Sequence, residues 1–245
     1  MTVKIFSIVS AALLLARSGS GQTYLLGNTD STLDRKYNHL PVYSSFLRPE
    51  IPVMDMYSAD MTCRSLDMND KVKPYQVTAG QMVPLSFESN AVSPISNQPI
   101  KGPCSFYLSD TKTKGKGAVW FPIEKNTYGG GLWCSENIKK NGYTHGVVIP
   151  KEVPPGTYYL RTEIIDLGSS IGKGIVDFTR GPHFFVNCMA ITVTGSGKAS
   201  PKGYKIPGIY NNAESKFIIN VDDATASSKF ILPGPEMDSS LAFKL

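Results

Sequence analysis

The side chains best suited to chemistry are few. The chain has three histidines, His39, His145 and His183, and histidine is the usual residue for moving protons or holding a transition metal near neutral pH. His183 has the most informative setting. It stands in Gly181-Pro182-His183-Phe184-Phe185-Val186-Asn187-Cys188-Met189-Ala190-Ile191, a run of aromatic and β-branched residues that reads as a buried strand. A core strand has no need of His183 or Asn187. His183 reads either as a metal ligand working with the N-terminal amine or as a buried ring satisfied by hydrogen bonds. His39 lies in an irregular stretch and reads as solvated, and His145 reads as a surface residue at the start of a strand. No histidine accompanies a glycine-framed serine, which argues against a hydrolytic triad. Asp222-Asp223 falls on opposite faces of a strand or in a turn and is no acid–base dyad. Lys114-Gly115-Lys116-Gly117 lacks the frame of a phosphate-binding loop and reads as an exposed hairpin tip. Trp120 and Trp133 are candidate sugar platforms, against the commoner reading of aromatic residues as buried.

The chain that must position these residues has 245 of them, with 22 glycines, 17 prolines and only 18% charged residues. That balance suits one loop-rich, all-β domain. Lys4 followed by the apolar run Ile5–Leu15 has the form of a secretory signal peptide. The run is about half the roughly 20 residues of a membrane helix, so no membrane partner is expected. Cleavage after Ala16 leaves Arg17 first; cleavage after Gly21 leaves Gln22, which can cyclise and lose its amine. Residues 1–21 are therefore read as leader and 22–245 as a single domain. The net charge of +5 falls to +4 without Lys4 and to +3 without Arg17, too weak an excess to suggest nucleic acid. Four cysteines in a secreted chain read as two disulfides, with three ways to pair. There is no Cys-x-x-Cys, and the spacing gives no zinc site.

Strands are expected at Tyr75–Thr78, Val83–Glu88, Ser105–Ser109, Val119–Ile123, Gly146–Pro150, Tyr158–Leu167, from the His183 stretch to Thr194, and at Lys216–Val221. Leu160, Thr162 and Ile164 alternate against Arg161, Glu163 and Ile165. Val153-Pro154-Pro155-Gly156 is a turn by composition, and Ser196–Lys202 reads as linker. No segment of useful length has the helical period. The sum is an antiparallel sandwich.

Six pieces, in order, resemble the lytic polysaccharide monooxygenases of auxiliary-activity family nine. They are Ala59-Asp60-Met61-Thr62-Cys63, Lys101-Gly102-Pro103, Val153 to Ile165, Phe184 to Cys188, Ile206-Pro207-Gly208 and Pro233-Gly234-Pro235. The resemblance implies an immunoglobulin-like antiparallel β-sandwich with long loops and two disulfides, Cys63–Cys188 and Cys104–Cys134. It also implies a flat face at which cellulose and related β-glucans are cut oxidatively. The copper there is held by a brace of nitrogens, the amine and imidazole of the first mature residue and a second imidazole. Planar nitrogen ligation suits Cu(II). In this sequence the second imidazole's position falls on Ile100, and the first residue is Arg17 or Gln22. The family's oxygen-side histidine falls on Gly168, its axial tyrosine on Phe185 and its neighbouring glutamine on His183.

The expectation is a secreted, brace-deficient homologue with no copper and no metal cofactor. Its work would be to bind cell-wall polysaccharide or a partner, with Phe230 standing where the family often has a sugar-contacting tyrosine. The alternative is an active copper monooxygenase acting on cellulose or related β-glucans.

Overall fold

The computed structural model of the protein describes residues 40–41, 52–64, 74–87, 100–168 and 181–241. The expected leader, both candidate first residues (Arg17 and Gln22) and His39 lie outside them. The strands are β1 (Leu40–Pro41), β2 (Tyr75–Thr78), β3 (Met82–Ser86), β4 (Cys104–Asp110), β5 (Ala118–Asn126), β6 (Tyr128–Gly129), β7 (Leu132–Trp133), β8 (Thr144–Val148), β9 (Gly156–Asp166), β10 (His183–Thr194) and β11 (Tyr204–Lys205). Two short helices, α1 (Cys134–Lys140) and α2 (Ala224–Ser228), lie among them.

Two sheets face each other. One has the order β11-β5-β4-β9-β10-β2 and the other β1-β3-β8. The first is built on β9 and β10, which pair antiparallel from His183 opposite Asp166 to Val193 opposite Gly156. Side chains alternate between the faces of a strand, and here both faces are covered. On the inner face Leu160, Ile164, Phe185 and Met189 pack with Val83, Leu85 and Val147 of the smaller sheet. On the outer face Tyr159, Ile165, Phe184 and Val186 lie under Val53, Met61, Ile206 and Phe217. Burying each large apolar side chain contributes roughly 1.5–3 kcal/mol, so the two-sided cover accounts for the near-continuous apolar character of β9 and β10.

The cysteines join Cys63 to Cys188 and Cys104 to Cys134, the pairing that the resemblance implies. Trp120 and Trp133 are both fully buried, so neither is an exposed sugar platform.

The fold is the expected all-β sandwich, and within it the structure corrects five details. Two pairings are parallel, β1 with β3 and β2 with β10. The chain changes sheets directly after β2, where Ala79 N–H donates to Thr194 and Gly80 N–H to Ile149. Gly80 has φ +91°, which glycine adopts without strain. Lys216–Val221 is not a strand. A 3-10 turn covers Glu214–Phe217, because Phe217 is an anchor against Phe184 and Tyr210 while Ile218 is left exposed. A helix forms at α1, where the Glu136 side chain accepts from the Trp133 N–H and Lys139 and Lys140 close the last turn, both favourable at those ends. Ser196–Lys202 is laid along the body rather than free: Ala199 N–H donates to Glu152, and a Cβ on Gly197 would stand 2.3 Å from the Val153 carbonyl oxygen. His145 lies within β8 and is half-buried rather than a surface residue at its start.

Candidate functional site

The positions singled out in the sequence meet at one end of the sandwich. Lys101 O accepts from Leu167 N–H and Pro103 O from Ile165 N–H, which docks the segment 100–103 against the end of β9. Gly102 permits this approach, since a Cβ there would fall 1.9 Å from the Ile165 carbonyl oxygen. The Ser135 hydroxyl at the start of α1 fixes the segment from the other side, donating to Ile100 O and accepting from Gly102 N–H. Across the sheet, Ile164 pairs with Phe185 and Asp166 with His183. Asp166 Oδ1 accepts from the N–H of Gly168 at 2.9 Å and of Lys101 at 3.4 Å. Ile100, Gly168, His183 and Phe185 therefore belong to one neighbourhood.

Its chemistry is largely apolar. Ile100 is buried, and with Phe87, Ser135, Ile138, Tyr143 and Ile164 it lines a cavity of about 20 Å³, room for a single water. Phe185 and His183 are 1% and 0% exposed and alternate onto the same strand face. Lys101, beside Ile100, has its ammonium 2.6 Å from Asp222. The hydrogen bond to Asp222, followed by that carboxylate's charge, raises the lysine pKa above its ordinary value, so near neutral pH it offers no lone pair to a metal.

Phe230 joins this neighbourhood through Trp133, at the end of β7. Its ring packs edge-on against Trp133, with centroids 5.4 Å apart, and Trp133 Nε1 donates to Val221 O, next to Asp222. Asp222 and Asp223 occupy a turn and divide their work. The first pairs with Lys101, and the second caps α2 by accepting from Thr225 and Ala226 N–H.

A model of Auxiliary Activity family 9 (formerly GH61) matches residues 20–230. The chain belongs to Auxiliary Activity family 9. It is 32% identical over 190 residues to the AA9 family lytic polysaccharide monooxygenase A of Aspergillus clavatus, covering 75% of this chain and 51% of that protein. With the enzyme of the same name from Geotrichum candidum it shares 28% over 246 residues, covering 94% and 80%. The chain spans about half the length of the Aspergillus relatives it matches. Among solved structures, CvAA9A superposes with a TM-score of 0.66 at 20% identity, covering 78% of this chain and 87% of that one. The extended catalytic domain of H. jecorina LPMO9A gives 0.58 at 26% identity, covering 76% and 73%. Both share the fold.

The copper that the resemblance implies needs nitrogen ligands, and the described residues at the expected positions do not fit that demand. Ile100, Gly168 and Phe185 have no side-chain lone pair, and His183 is a single imidazole enclosed in the sheet. Among the described residues, no group of three or more His, Cys, Asp and Glu is placed to hold a metal ion.

The sequence reading passed over two further polar clusters. On the outer face, Arg161 and Glu163 form a fully buried ion pair at 2.6 Å. Arg161 Nη2 and Nε donate to Met61 O at 2.7 and 3.1 Å, and Nε also reaches Thr62 O at 3.0 Å. Glu163 Oε1 accepts from Ser105 and Tyr210. Burial, then the Glu163 charge, holds the Tyr107 and Tyr210 hydroxyls well above the ordinary tyrosine pKa. Two charged residues set two apart in an otherwise apolar strand were the available signal. The second cluster joins the sheets at their edge: His145 Nε2 lies 2.7 Å from Glu124 Oε1, and its ring stacks on Phe106.

Proposed function

We propose that this family 9 protein is secreted and has lost the copper site, and that it works by binding cell-wall polysaccharide of the β-glucan kind rather than by oxidising it. The observation that carries the reading is Ile100. By the resemblance it falls where the family has its second imidazole, and its buried side chain lines a small cavity beside Ile164, which pairs across the sheet with Phe185. An imidazole cannot be approximated there by an alkyl chain, and arginine at the first position cannot replace one, since its guanidinium stays protonated. Departures at Ile100, Gly168, His183, Phe185 and the first residue concern ligands and the groups around them together. Groups around a metal normally orient and tune its ligands.

Phe230 supports a binding role of reduced strength. It keeps a ring for stacking but has no hydroxyl to bond to sugar, and part of the ring is spent on Trp133. Retention on crystalline cellulose is therefore weaker than for active relatives. The test is incubation of the mature protein with cellulose, copper and a reductant, followed by chromatography of the soluble fraction. The reading expects retention on a β-glucan without oxidised oligosaccharides. Oxidised cello-oligosaccharides at the level of an active relative would establish the enzyme instead.

A further inference from the structure

Helix α1 has two working faces. Ser135 and Ile138 turn toward Ile100 and the small cavity, whereas Cys134, Asn137 and Asn141 line an open cleft on the other side. The spacing of three and four residues puts these last three on one helix face. The opposite wall is the end of β5 and the strand after it, with Lys125, Asn126 and Tyr128, and His145 lies between the walls. The volume is about 460 Å³, within the usual ~300–1,000 Å³ of small-ligand sites.

The polar groups of this cleft are fixed from behind. Glu124 Oε1 receives both His145 Nε2 and Asn126 Nδ2, and the stacking on Phe106 holds the imidazole plane. Lys125 is tied to Glu236 at 2.7 Å and to Leu232 O. Each charged lining group thus has an opposite charge or an acceptor already, and the cleft favours a neutral ligand. Beside the hydroxyls of Thr127 and Tyr128, its remaining polar resource is amide: the side chains of Asn137 and Asn141, half-buried and exposed respectively, and the carbonyl end of Asn126. A carboxamide donates and accepts at neighbouring atoms, which matches vicinal hydroxyls, each of them both donor and acceptor. A peptide ligand would instead want an apolar pocket for a side chain, and the lining offers the one ring of Tyr128.

We infer that the cleft between α1, β5 and β8 is a binding site for a neutral saccharide, separate from the Phe230 face and from the former copper position. Its choice of ligand agrees with the proposed polysaccharide-binding role, but the site does not depend on what Phe230 does.

Side-chain amide signals of the isotope-labelled mature protein, followed by NMR during titration with cellohexaose, test this. Binding should shift the Asn126, Asn137 and Asn141 side-chain signals. The double variant Asn137→Ala/Asn141→Ala should weaken that binding by about tenfold, the scale of two lost hydrogen bonds, with the rest of its spectrum unchanged. Gly129→Trp should give a similar loss by plugging the cleft, because a Cβ at Gly129 meets nothing within 4 Å. Three results would overturn the inference: amide signals that do not move with cellohexaose, full binding by both cleft variants, or shifts produced by tetra-alanine with cellohexaose silent. Retention on insoluble β-glucan alongside unmoved amide signals would remove the cleft and leave the proposed function standing.

Discussion

Arg161 carries a full charge inside a sheet covered on both faces, and it is tolerated because Glu163, Met61 O and Thr62 O surround it. Removing one partner of such a pair exposes the other's desolvation cost, about 3–5 kcal/mol. Tyr210 adds a measurable pH dependence. Below the ordinary tyrosine pKa, about 10, the ring is neutral whether the chain is folded or unfolded. Above it, the unfolded chain releases protons that folded Tyr107 and Tyr210 retain, because burial and the Glu163 charge raise both. The contribution to stability is therefore complete below that pKa and is lost as pH rises toward the folded values. Denaturant titrations across the alkaline range should show a steep fall, made shallower in Tyr210→Phe. That variant should also cost about 1–2 kcal/mol at neutral pH through the lost bond to Glu163. At the site itself, Ile100→His alone would place a polar ring in an apolar cavity. It should lower stability by about 1–3 kcal/mol, read from thermal or denaturant unfolding, and add no copper binding.

Elements were legible where they are long and alternate strictly. The sequence places β9 within two residues of its observed ends, because Leu160, Thr162 and Ile164 alternate against Arg161, Glu163 and Ile165 and both sets are buried. Helix α1 escaped because its seven residues are too few to establish a period, and only the Glu136 cap marks it. Lys216–Val221 misled because apolar residues in a row resemble a strand whether or not a neighbouring strand exists to pair with them. The parallel entry of β2 beside β10 is set by contacts distant in sequence, which local pattern does not carry. The disulfide pairing was likewise closed to spacing and came with the family resemblance. Its energetic weight does follow from spacing. The Cys63–Cys188 bond spans 125 residues and Cys104–Cys134 spans 30, so loop-closure entropy gives about 5 and about 3.5–4 kcal/mol. Unfolding of Cys63→Ala/Cys188→Ala and Cys104→Ala/Cys134→Ala should rank the first bond as the costlier loss. The reverse order would mean that native packing around Cys134 outweighs chain entropy.

At the scale of the whole molecule, the chain has the family 9 fold, and the proposed loss of copper concerns one end of the sandwich. That Ile100, Gly168, His183 and Phe185 share one end of the sandwich could be expected from the order of Lys101-Gly102-Pro103 and the β9 and β10 pieces. Their burial could not be read, since that of Ile100 and His183 depends on how α1, β9 and β10 close together. A brace needs its nitrogens as a unit. Restoration should accordingly require histidine at the true first residue together with Ile100→His and Phe185→Tyr, helped by Gly168→His, and not any one of them. Copper calorimetry on the mature wild-type protein tests the central claim most directly. The account predicts no tight site, because one terminal amine and one enclosed imidazole make a poor chelate against proton competition at neutral pH. A single copper bound per chain with nanomolar affinity would contradict it.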